Sequence, residues 1–257
     1  MKNFLNTLPE TEALLSKHIP GDEVPEVNGH LHSPYSFCAF DSIKQMFTMA
    51  GEEKVVALGI NDFFTVDGYA EFEANALNSR IFPLFNIEFM GLMKDLQEQD
   101  IRVNDPNNPG RVYFSGKALK NPLDVSPEYR EFLDRLQENS KKQVIEMCRK
   151  VDALLKEIRA PFGMNFEELR NKYAENLVRE RHIARAIREA SFEHFTSGDD
   201  RMEFFTKLFE GRNINASFSN LSELENEIRS MLLKKGGRAF VPEDSEALMR
   251  ALREIKL

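Results

Sequence analysis

Cysteine is scarce in this chain of 257 residues: Cys38 and Cys148 are the only two, and they stand in unrelated contexts. Two such residues exclude a disulfide framework and a zinc ribbon, and they make a reducing cytoplasm the expected setting. Long hydrophobic runs are missing as well. No apolar stretch approaches the roughly 20 residues of a membrane-spanning helix, so no membrane partner is expected. The opening stretch MKNFLNTLPETEALL has neither a basic start nor a continuous apolar segment, so a secretory signal is not expected. A P-loop, a dinucleotide fingerprint and a nucleophile elbow are all absent, which removes the commonest nucleotide-binding and serine-hydrolase readings. No internal repeat or low-complexity tract interrupts the chain.

Basic charge is thin in the first part. Residues 1–100 carry 6 Lys+Arg and 16 Asp+Glu, leaving 28 and 26 for the remainder, and the whole chain has a net charge of -8. Nucleic-acid binding relies on phosphate neutralisation, so an acidic first segment disfavours that partner. It suits a site that gathers cations. With 42% hydrophobic and 30% charged residues, the composition is that of a globular protein with one large domain or two small ones.

Against this background, histidine usage stands out. Only five histidines are present, and two of them lie one residue apart in NGHLHSPYSF (28–37). In a strand, side chains at i and i+2 share a face, so His30 and His32 would project together from a strand end. Imidazole is the commonest ligand for a transition metal near neutral pH.

The hydrophobic pattern places this pair. Apolar runs near 27–32, 55–62, 81–89 and 111–116 read as buried strands, expected side by side and mostly parallel. Helical spacing fills 42–54 and 65–79, and a short helix is expected at 5–19. The stretch NDPNNPG (104–110) reads as a mobile loop. Beyond residue 126 the chain becomes helical. Ser126 and Pro127 read as a helix start, with an apolar stripe through Phe132, Leu136, Val144, Met147, Val151 and Leu155. A second long amphipathic helix is expected over 165–195, and further helices over 199–211, 219–237 and the closing PEDSEALMRALREIKL. The two parts are an α/β region at 20–125 and a helical segment at 126–257.

In parallel α/β folds, functional groups gather at the carboxyl ends of strands. Here those ends carry His30 and His32, then Asn61 and Asp62, then Glu88. Two imidazoles and a carboxylate make a plausible metal set, with Asp62 as a ligand or as an orienter of ligands. Nitrogen ligands with a carboxylate suit zinc, manganese or iron better than calcium. Such an ion acidifies a bound water and polarises a phosphoryl oxygen. Ser33 and Ser36 could hydrogen-bond a substrate phosphate or stabilise the turn. His182 and His194 fall in helical pattern and read as ordinary helix histidines.

The stretches NGHLHSPYSF, ALGINDFFTVDGYAEF and FPLFNIEF resemble the three leading motifs of the PHP (polymerase and histidinol phosphatase) domain family over about residues 25–120. The resemblance implies part of a distorted (β/α)7 barrel with divalent metals at its carboxyl end. His30, His32 and Glu88 would be metal ligands, Asp62 would belong to the catalytic set, and Ser33 and Ser36 would face substrate. It implies hydrolysis of a small phosphate ester. Two departures stand out. Phe63 occupies the place of a family histidine in the second motif, and Tyr113 falls where a later histidine is common. The later family signatures are not found, so 126–257 reads as a helical insertion in a truncated chain. Two functional readings follow: a metal-dependent phosphoesterase, or a PHP-like binding module that has lost ligands.

Overall fold

The structure is a computed structural model that describes residues 9–10, 12–13, 16, 24–37, 39–106, 108–123 and 125–242. Most of the helix expected at 5–19, together with Cys38 and the closing helix, lies outside these residues. The chain divides into two compact units, one running to Leu136 and the other spanning Gln137–Asp244.

The first unit is a four-stranded, curled half-barrel sheet of order β1-β2-β3-β4, with β1 at Glu26–Leu31, β2 at Val55–Phe63, β3 at Phe82–Leu92 and β4 at Arg111–Gly116. Two helices connect the first three strands. Helix α1 (Ile43–Glu52) starts at Ser42, whose side chain accepts a hydrogen bond from the Gln45 backbone N–H at 3.1 Å. Its buried residues Ile43, Met46, Phe47 and Ala50 repeat at three- and four-residue steps and form one apolar face. Helix α2 (Tyr69–Ser79) buries Tyr69, Phe72 and Ala76. Together they cover one sheet face, where Leu58, Ile60 and Phe85 complete a core with Phe47 and Phe72. Burying each of these large side chains contributes on the order of 2 kcal/mol.

β1 pairs with β2 and β2 with β3 in parallel, as the helical crossovers require. β4 departs from the parallel expectation and runs antiparallel to β3, with Leu92 opposite Arg111 and Glu88 opposite Ser115. The connection between them carries the 5-residue helix α3 (Lys94–Glu98) in place of a crossover helix packed on the sheet. The chain turns back beside the end of β3: the Met93 N–H donates to the Gly110 carbonyl at 2.7 Å, closing a long hairpin. At the start of the loop expected to be mobile, the Asn104 amide pairs with both backbone groups of Tyr113 at 2.8 and 2.9 Å.

The second unit is helical. Helix α4 (Pro127–Glu157) runs through the boundary between units and starts at Ser126 and Pro127 as expected, while α5 (Phe166–Tyr173), α6 (Glu180–His194), α7 (Gly198–Leu208) and α8 (Leu221–Ile228) follow. The last continues into a π-helical turn at Arg229–Leu233. Val151, Leu155, Ile183, Ile187, Phe205 and Leu224 lie at the centre of its core. The stretch 165–195, expected as one helix, breaks into α5 and α6. Leu177 and Val178 are both buried. Among the described residues, no helix is long and apolar enough to cross a membrane.

Candidate metal centre

The sheet face opposite α1 and α2 carries polar residues where β1, β2 and β3 end. Its geometry starts from two glycines. A Cβ on Gly59 would lie 2.6 Å from the carbonyl carbon and oxygen of Gly29, so only hydrogen fits there. β1 crosses close over β2 at this point, and its pairing register shifts between Asn28 and Leu31. Such irregularities re-aim side chains and are frequent beside active sites. Here the turned Gly29 carbonyl accepts from the Asn86 amide at 3.2 Å and from the Lys117 ammonium at 3.1 Å. His30 follows and swings across the end of β2.

The result is a convergence on a single carboxylate oxygen. His30 Nε2 lies 3.2 Å and His32 Nε2 2.9 Å from Glu88 Oε2. The ligand atoms of the three residues all fall within 4.8 Å of one another, and no other such group of three occurs among the described residues. Glu88 is buried, while half of the His30 side chain is open to solvent. Neither His182 nor His194 belongs to this set. His182 is fully buried in its own unit, where its Nδ1 accepts from the Arg179 backbone N–H at 2.9 Å. His194 stacks on Phe162 with centroids 5.4 Å apart.

Asp62 takes another place. Strand alternation points it to the sheet face opposite Asn61. There it is buried and accepts three hydrogen bonds: from the Ser33 backbone N–H at 2.7 Å, the Ser33 hydroxyl at 2.5 Å and the Ser36 hydroxyl at 2.5 Å. Burial raises its pKa from the ordinary 3.8, against the opposing pull of those serine bonds. Ser33 and Ser36 are themselves fully buried. Their hydroxyls are committed to Asp62 and do not face the open side. Ser36 has one further contact, at 3.4 Å from His32 Nδ1. With the Ser36 proton on Asp62, its oxygen is placed to accept from an Nδ1–H, which is the tautomer whose Nε2 lone pair is aimed at Glu88.

Two lone-pair-bearing atoms 2.9 Å apart repel unless a proton or a cation sits between them. The spacing suits a cation, since ligands about 2.1 Å from a tetrahedral or octahedral ion lie roughly 3.0–3.4 Å from each other. The donor set therefore fits a divalent transition ion.

Three further residues complete the surroundings. The Asn61 amide nitrogen lies 2.9 Å from His30 Nε2, 3.2 Å from Glu88 Oε2 and 3.2 Å from the Ser115 hydroxyl. Its carbonyl oxygen accepts from Lys117 at 3.1 Å. Sequence reasoning noticed Asn61 without giving it a role, and passed over Ser115 and Lys117. The alternation of β2 carries the Asn61 signal, since Asn61 and Phe63 share a face. Phe63 lies stacked on His32 with centroids 4.4 Å apart, so the ring at the departed family position packs directly against a candidate ligand. Tyr113 sits beyond it, 6.2 Å from the Phe63 ring. Between β2 and α2 the chain passes through Phe64, a buried residue in left-handed conformation at φ 57°. Such a conformation strains a bulky residue, and here the Phe64 N–H donates to the Glu88 carbonyl at 3.0 Å.

No family model and no curated protein matches this sequence. Solved structures do. A candidate metal-dependent phosphoesterase from Bifidobacterium adolescentis superposes with a TM-score of 0.54 at 12% identity, over 87% of this chain and 60% of its own. An amidohydrolase from Chromobacterium violaceum with bound sulfate and no metal gives a TM-score of 0.45 at 18% identity, over 80% of this chain and 64% of its own. The second likeness is too slight to argue from. The chain spans about 60% of the length of the first structure and shares its fold.

Proposed function

We propose that His30, His32 and Glu88 hold a divalent metal ion, zinc, manganese or iron, and that the chain hydrolyses a phosphate ester in the manner of PHP-type phosphoesterases. The observation that carries this reading is the meeting of two imidazole Nε2 atoms on one buried carboxylate oxygen, at 3.2 and 2.9 Å. A bound ion there would supply an acidified water and a Lewis acid for the phosphoryl oxygen. The chain's own residues do the rest. Ser36 and Asp62 hold His32 in the tautomer that offers Nε2. Asn61 steadies His30 and Glu88. His30, being half open to solvent, marks the side from which substrate reaches the centre. In this reading Asp62, Ser33 and Ser36 act as positioning residues and do not touch substrate.

The fold shared with the Bifidobacterium protein, itself described as metal-dependent, supports the same reading. The test is metal-dependent release of p-nitrophenol from p-nitrophenyl phosphate and its bis-ester by the full chain. Turnover that requires added manganese, zinc or iron(II), and that falls at least about a hundredfold in Glu88→Gln, is the expected result.

A second reading has its own observation. The Phe63 ring stacked on His32 puts carbon where a further ligand would stand, which suits a binding module with a reduced centre. Metal uptake without turnover of either ester would favour that reading over the first.

A further inference from the structure

We propose that Lys117 is the anion-binding residue of this centre and that it selects a dianionic phosphomonoester. The inference rests on the metal reading above and adds the substrate's charge to it.

Lys117 is the first residue after β4, and the residue as a whole is exposed. Its ammonium nevertheless turns inward. It donates to the Asn61 carbonyl oxygen and to the Gly29 carbonyl oxygen, each at 3.1 Å. Both acceptors are neutral. An ammonium carries three N–H groups, so one remains over. No carboxylate among the described residues lies within ion-pair distance of it. Glu88 attracts it only from farther away, and partial burial lowers its pKa. A full positive charge is thus held beside Asn61, which itself touches His30 and Glu88, without a counter-ion of its own.

Structure alone does not require that charge, because a neutral amide donor would serve the same two carbonyl acceptors. Charge balance gives the reason for it. On the sheet face that carries the three candidate ligands, Glu88 and Lys117 cancel, while Asp62 lies on the opposite face among its serines. A divalent ion among His30, His32 and Glu88 would then leave that face at a net charge of about +2, beside a buried carboxylate where charges act strongly. The complementary ligand is a dianion. A phosphomonoester is one above its second pKa of about 6, whereas a phosphodiester carries one charge and a carboxamide none. The spare N–H of Lys117 meets a phosphoryl oxygen, and the charged hydrogen bond holds it beside the metal.

The test uses the full chain with manganese(II) and inorganic phosphate as probes, followed by titration calorimetry, in the wild type, Lys117→Gln and Lys117→Arg. Manganese affinity is expected to hold in Lys117→Arg and not to fall in Lys117→Gln, where loss of a nearby positive charge should if anything raise it, since Lys117 is no ligand. Phosphate affinity of the manganese-loaded protein should fall at least about tenfold in Lys117→Gln and stay much nearer wild type in Lys117→Arg. Equal phosphate affinity in the wild type and Lys117→Gln would overturn this inference and leave the metal reading standing. Loss of manganese binding in Lys117→Gln would overturn it too, because the residue would then be holding the site together. A wild-type protein that takes up no manganese would overturn both.

Discussion

Carboxylates withdrawn from solvent are partnered differently in the two units. In the helical unit two half-buried ones, Glu180 and Glu189, are paired with bases. Glu180 sits between Arg179 and Arg229, with Arg229 at 2.6 Å. Burial works against its ionised form, but the two guanidiniums prevail and hold its pKa at about 2. Glu189 collects Tyr173, Arg185 and Lys172 and is likewise held at about 2, against a smaller desolvation penalty than these bonds repay. In the sheet unit no arginine or lysine pairs with Asp62 or Glu88 among the described ion pairs. Asp62 leans on serines, and burial raises it. Glu88 faces two imidazoles and an amide. Asp105, also buried in the sheet unit, does pair, with Arg111 at 3.3 Å. Asp62 and Glu88 at the strand ends are thus set apart by having no arginine or lysine at ion-pair distance among the described residues, as at a site built to take a ligand.

The largest blow to the contrast should come from Gly59→Ala. The added methyl group meets backbone at 2.6 Å, so β1 must move. A loss of about 3 kcal/mol or more is expected, together with metal binding, as His30 leaves Glu88. Gly198→Ala in the helical unit, where nothing lies within 4 Å, is the control and should change stability by less than about 0.5 kcal/mol. Denaturant titrations of both variants decide it, and similar losses in the two would remove the case for a strained approach of β1 to β2.

Acid should come next, with opposite signs in the two units. Burial drives the His182 pKa down from 6.5 to about 4. The unfolded chain then binds the extra proton, so the stability this residue gives is present above 6.5 and lost as pH falls toward 4. The loss is about 3 kcal/mol, and Glu180 adds to it between 4.5 and about 2. Asp62 runs the other way. Its folded pKa lies above 3.8, so its contribution is full below 3.8 and disappears as pH rises through the folded value. Residue-resolved hydrogen exchange at pH 7 and pH 5 should show the helical unit loosening first. His182→Gln should flatten that dependence.

A smaller effect is expected from Ser36→Ala. It cuts the link between Asp62 and His32 while leaving all three candidate ligands in place. Orienting partners of this kind are worth about ten- to a hundredfold in metal affinity. A manganese titration that shows no change would mean His32 needs no such partner.

The sequence carried much of this, for identifiable reasons. Apolar runs located β2 and β3, because buried strands need them, whereas β1 is largely exposed and was marked by its histidine pair. The i, i+2 spacing put His30 and His32 on one face, and the end of a neighbouring strand supplied Glu88. Strand direction was not legible at β4, since an apolar run reads the same both ways and the contacts made by the connection, such as Met93 with Gly110, decide it. The roles of Ser33 and Ser36 depend on a turn that points their hydroxyls inward, which composition does not encode. Gly29 and Gly59 are ordinary residues until their strands cross. Lys117 joins the site through the Gly29 and Asn61 carbonyls, whose approach no sequence pattern marks.

The central claim is that His30, His32 and Glu88 form one metal centre. Metal content of the purified full chain, measured beside a His30→Ala/His32→Ala double variant after equal exposure to zinc, manganese and iron(II), tests it most directly. The account expects about one ion per wild-type chain and close to none in the folded double variant, since one carboxylate alone retains such an ion poorly. Equal metal content in the two proteins would contradict it.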